Sequence, residues 1–68
     1  MTREEYHAKV RAVMDGPLQC RFRADARGRT AFEVYYGTRW VTIGIESHGW
    51  FYWTPLHERL TEEREAVR

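Results

Sequence analysis

Apolar and polar residues recur along this chain with two different periods, and the changes of period mark out six elements. From Thr2 to Met14, Tyr6, Val10, Val13 and Met14 fall at i, i+4, i+7 and i+8, one face of an amphipathic helix. Thr2 and Glu5 have capping-box spacing, in which each side chain can satisfy a backbone N–H at the other's position. Asp15-Gly16-Pro17 ends the helix, because glycine permits a left-handed C-cap and proline cannot continue. From Leu18 to Ala24 the period drops to two, with Leu18, Cys20 and Phe22 on one side and Gln19, Arg21 and Arg23 on the other. Thr30 to Tyr36, Arg39 to Glu46 and Trp50 to Trp53 read as three further strands. Thr54-Pro55 then opens a last helix, with Thr54 as N-cap and Pro55 at the first helical position. Its apolar stripe, Leu56, Leu60 and Val67, is thin, so it docks along a narrow seam and its last turn is expected to fray.

The connections fix which strands pair and in what register. Ala26-Arg27-Gly28 suits a three-residue hairpin loop with Gly28 left-handed, and Gly37-Thr38 suits a two-residue type II′ turn with glycine first. The first loop pairs Phe22 with Phe32, Arg21 with Glu33 and Cys20 with Val34. The second pairs Tyr35 with Trp40, Val34 with Val41, Glu33 with Thr42 and Phe32 with Ile43. Both put apolar against apolar on one face, so they agree on one inner face. Ser47-His48-Gly49 reads as a three-residue loop, which turns Phe51 and Trp53 inward and Trp50 and Tyr52 outward. The expected fold is α+β: a four-stranded antiparallel meander sheet with N- and C-terminal helices packed on one face, in the order α-β-β-β-β-α, as one compact domain over residues 1–68.

On this pattern the helices cover Leu18, Cys20, Phe22, Phe32, Val34, Tyr36, Val41, Ile43, Ile45, Phe51 and Trp53. Eight of the ten aromatic residues lie in positions 30–53. That is more than one core needs, and the surplus falls on the other face. Tyr35, Trp40, Trp50 and Tyr52 stand there at opposed corners around a low centre at Ala31 and Gly44, with Arg21 and Arg23 beside them. An uncovered sheet face is ordinarily polar, and exposed aromatic patches mark interaction surfaces. The competing explanation is that Tyr35 and Trp40 form a cross-strand pair that only stabilises the sheet.

Charge narrows the partner. Net charge is +1, and it is unevenly placed. Residues 18–45 hold five arginines against two carboxylates, and residues 46–68 hold three arginines against five glutamates. This is weaker than the basic footprint of a nucleic-acid binder, and Glu33 sits in the middle of the aromatic face. Tyr, Trp and Arg are the residues enriched at protein–protein hot spots, and a sheet-on-sheet homodimer would bury the same patch. The expected function is a small non-enzymatic module acting by protein–protein interaction. An inhibitor, adaptor or regulator, of the kind encoded by phage or mobile elements, fits that description. The alternative is a single-stranded nucleic-acid binder that stacks bases on the same aromatics.

Chemistry that would make an enzyme is thinly represented. His7, His48 and His57 fall on three different elements without metal-ligand spacing. The single cysteine, Cys20, lies in the apolar pattern of the first strand, where it acts as a small hydrophobe. Neither a catalytic group, a metal site nor a cofactor is expected. The charged N-terminus is unlike a signal peptide, and no apolar run approaches the roughly 18 residues of a membrane span. A cytoplasmic location, without membrane association or a small-molecule substrate, is therefore expected.

Overall fold

A computed structural model describes residues 1–66 of the chain. Its elements are α1 (Arg3–Met14), β1 (Cys20–Ala24), β2 (Arg29–Tyr36), β3 (Arg39–Ser47), β4 (Trp50–Trp53) and α2 (Leu56–Ala66). The strands form one antiparallel meander in the order β1-β2-β3-β4, with both helices packed on it. Thr2 caps α1 by accepting a hydrogen bond from the Glu5 N–H at 3.1 Å. The strand β1 begins two residues later than its alternation suggests. The helix α2 begins at Leu56, with the Pro55 carbonyl accepting the first helical hydrogen bond, from the Arg59 N–H. Val67, assigned to the α2 stripe, and the end of the last turn lie outside the described residues.

The first two hairpins follow their turn chemistry. Gly28 has φ +79° and Gly37 φ +67°, while Thr38 has no positive φ, the sign pattern of a type II′ turn. Cys20 pairs with Val34, Arg21 with Glu33 and Phe22 with Phe32. Tyr35 pairs with Trp40, Val34 with Val41 and Glu33 with Thr42. One step further the ladder departs from the simple alternation. Phe32 pairs with Gly44 rather than Ile43, so Ile43 is the extra residue of a β-bulge. Ile43 remains inside, 4 % exposed. Gly44 turns inward and Ile45 outward, the reverse of the expected arrangement for both.

The reason for the bulge lies on α1. Tyr6 is buried, and a Cβ on Gly44 would come within 2.8 Å of its hydroxyl. Only a residue without a side chain lets the tyrosine ring lie against the sheet, packed against Phe51 and Trp53 at centroid distances of 5.3 and 6.0 Å. A glycine inside a strand marks a bulge or a close approach of neighbouring groups. Gly44 marks both.

The last hairpin also differs in its turn. Ser47 pairs with Trp50, so the loop has two residues, His48 and Gly49, with φ of 48° and 83°. Two positive φ values in succession define a type I′ turn. A two-residue turn alone would have reversed the faces of β4. The bulge adds one residue upstream, the two offsets cancel, and Phe51 and Trp53 face inward as expected.

The core is Tyr6, Val10, Phe32, Val34, Val41 and Ile43, with Val13, Leu18, Cys20, Phe51, Trp53, Leu56 and Leu60 packed around it. Three residues assigned to it are exposed instead: Met14, Phe22 and Tyr36. Tyr6 and His7 of α1 meet Phe51 of β4, and α2 packs against β3. The helices thus favour the β3–β4 side, and Phe22, on the edge strand β1, stays largely uncovered.

Candidate functional site

The outer face is organised around a carboxylate. Glu33 is 3 % exposed, although it projects from the face that the helices leave open. Its cover comes from the neighbouring strands. Arg21 Nε–H donates to Glu33 Oε1 at 2.8 Å, Thr42 Oγ1–H donates to Oε2 at 3.1 Å, and Arg23 Nη2 stands 3.5 Å from Oε2. The Arg21 guanidinium also lies over the Trp40 ring, 4.1 Å from its centroid, and Tyr35 meets Trp40 edge-on at 5.3 Å. Burial pushes the Glu33 carboxyl up, but the hydrogen bonds from Arg21 and Thr42 and the charges of Arg23 and Arg21 outweigh it. Its pKa falls below the ordinary value.

The six residues singled out from the sequence therefore separate into two groups. Arg21, Tyr35 and Trp40 form one cluster that Arg21 joins to Glu33, and each has a partner inside the protein. Trp50 and Tyr52 do not join it. They project from β4 with exposures of 69 % and 57 %. Arg23 lies between the groups, touching Glu33 but largely exposed. The floor is Ala31 and Ile45, which pair across β2 and β3, while Ile45 pairs on its other side with Tyr52. Two shallow depressions flank this floor. One of about 150 Å³ is lined by Arg23, Asp25, Arg29, Ala31, Thr42 and Ile45. The other, of about 90 Å³, is lined in part by Thr42, Ile45, Tyr52, Thr54 and Arg59.

Ile45 and Arg59 belong to this surface and were not legible in the alternation. Ile45 arrives through the bulge, for which Gly44 was the available signal. Arg59 arrives because α2 docks beside β3, a placement that no local pattern carries.

Most of the sheet's cations are engaged internally. Besides Arg21 and Arg23 on Glu33, Arg29 pairs with Asp25 at 2.7 Å, Arg39 pairs with Glu63, and Arg59 lies 3.7 Å from both Glu62 and Glu63. Among the described residues no group of His, Cys, Asp and Glu is placed to hold a metal ion, and no helix is long and apolar enough to cross a membrane. Comparison with protein-family models, with curated proteins and with solved structures finds no match.

The two aromatic groups have different expected energetics. Trp40→Ala removes the ring that supports Arg21 and Tyr35 and lowers stability by about 2 kcal/mol. Trp50→Ser, at an exposed position, changes stability by less than about 0.5 kcal/mol. Chemical denaturation of both variants measures the difference.

Proposed function

We propose that this protein is a non-enzymatic binding module that engages a protein partner through the Trp50–Tyr52 half of its outer sheet face. The observation carrying this reading is the exposure of those two large aromatics beside an apolar floor, where neither contributes to the core. The Arg21–Trp40–Tyr35 cluster has an internal reason to exist, and Trp50 and Tyr52 have none. A partner that covers them removes apolar surface from water, with Tyr and Trp as rigid anchors. Arg23, at the border of the patch, sets orientation.

A protein partner is favoured over single-stranded nucleic acid by the ion pairs. Phosphate binding requires several cations free to replace counterions, and Arg29, Arg39 and Arg59 already face carboxylates, while Arg21 and Arg23 share Glu33 and leave a surplus of only one charge.

The test is affinity capture from the native host with the wild-type protein and the Trp50→Ser/Tyr52→Ser variant. A partner held by the first and lost by the second, at equal thermal stability, supports the reading. A partner held equally by both overturns it. Saturable binding of a single-stranded oligonucleotide that weakens as salt rises overturns it in favour of base stacking.

A further inference from the structure

A second unpartnered feature lies at the opposite edge of the sheet from β4. The strand β1 ends the sheet order, and its residues from Arg21 to Ala24 are all exposed. Its hydrogen-bonding sense follows from two bonds to β2. The Tyr35 N–H donates to the Gln19 carbonyl at 2.9 Å, and the Asp25 N–H donates to the Arg29 carbonyl at 2.9 Å. Antiparallel ladders alternate, so Arg21–Glu33 and Arg23–Ala31 are the hydrogen-bonded pairs between these ends. The N–H and C=O groups of Cys20, Phe22 and Ala24 therefore point away from β2, where no strand among the described residues meets them.

Exposed edges invite pairing, and proteins usually blunt them with charge, proline or a covering loop. The strand β1 carries such charge on one side only. On the inner side Phe22 is 53 % exposed and, with His7, Val10 and Arg11, lines an open depression of about 280 Å³ between α1 and β1. On the outer side Arg21 and Arg23 share one carboxylate, Glu33, so the strand keeps excess positive charge.

We propose that β1 is a docking edge for an extended acidic segment of a partner protein, which adds as a fifth strand. Its backbone pairs with Cys20, Phe22 and Ala24. Its outward side chains are carboxylates facing Arg21 and Arg23, and the side chain between them is apolar and lies beside Phe22. Backbone bonds supply affinity and the alternating side chains supply choice of sequence. A second copy of this chain is a poor occupant. Antiparallel pairing of two β1 strands about Phe22 sets Arg21 opposite Arg23 of the other copy, twice, and like charges directly opposite are destabilising.

The experiment is an NMR titration of the labelled full chain with a capped heptapeptide alternating glutamate and valine. Saturable shifts and slowed hydrogen exchange in residues 20–24 are expected, with no binding by the matching lysine–valine peptide. Ala24→Pro removes an N–H that faces away from β2, a position where an edge strand tolerates proline. The variant should stay folded and lose the peptide. Arg23→Glu should weaken binding about tenfold. Absence of saturable shifts, equal binding of the lysine peptide, or shifts centred on Trp50 and Tyr52 overturns the proposal. Concentration-dependent shifts in β1 without peptide overturn it in favour of self-association.

Discussion

Replacing Gly44 with valine is expected to lower stability by about 3 kcal/mol, the upper end of the usual range for overpacking. The first added carbon already meets the Tyr6 hydroxyl at 2.8 Å and the ring carbons at 3.0 and 3.2 Å. Tyrosine is the far end of a side chain, but this one is held between Phe51 and Trp53 and has little room to withdraw. For a chain of this length the loss is a large share of a total on the order of 0.1 kcal/mol per residue. Equilibrium denaturation measures it. In a double-mutant cycle, Tyr6→Ala should make the Gly44 substitution much less costly, because the obstructing ring is gone. Additive losses would show that the glycine answers to backbone geometry and not to the tyrosine.

The second large effect concerns the buried carboxylate. Arg21→Ala leaves the buried Glu33 with Thr42 and a more distant Arg23, and, because Arg21 itself is 40 % exposed, is expected to cost about 2 kcal/mol, the scale of a lost hydrogen bond to a charged group. Glu33→Gln should cost less, because an amide needs less solvation than a carboxylate and the arginines left behind can turn toward water. The ordering, Arg21→Ala worse than Glu33→Gln, is the diagnostic result. Acid supplies the same information. A carboxyl whose pKa is lower folded than unfolded binds fewer protons in the folded state, so its contribution is complete above the unfolded value of about 4.3 and is lost as pH falls through the folded value. Wild-type stability should therefore fall with acid below that point. In Glu33→Gln the fall should be shallower, as measured by denaturation midpoints at a series of pH values.

These cases show where sequence and structure part. The pairing of Arg21 with Glu33 follows from loop length alone, and so does the division of β1 and β2 into faces. The burial of Glu33 does not, because it depends on Arg21 folding back over Trp40 from a neighbouring strand. Alternation through Thr42, Ile43, Gly44 and Ile45 fits an unbulged strand with both isoleucines inside. What displaces Ile45 is Tyr6, a residue on another element. Likewise Phe22 and Tyr36 have the inner-face parity that their positions imply, yet stay exposed. Coverage depends on where α1 and α2 lie across the sheet, and the period of a strand contains no information about that. Of the candidate patch, Trp50 and Tyr52 were legible with the correct facing, although the turn and the ladder each differ by one residue from the simple reading.

That coincidence constrains how the surface can evolve. The bulge at Ile43 and the two-residue turn at His48-Gly49 together set the facing of β4, so gaining or losing one residue in either would exchange Trp50 and Tyr52 with Phe51 and Trp53. The exchange would put the exposed pair into the core and the inward pair into solvent at a single step. Homologous lineages should therefore keep large aromatic side chains at Trp50 and Tyr52 and tolerate insertions or deletions between residues 43 and 49 only in compensating pairs.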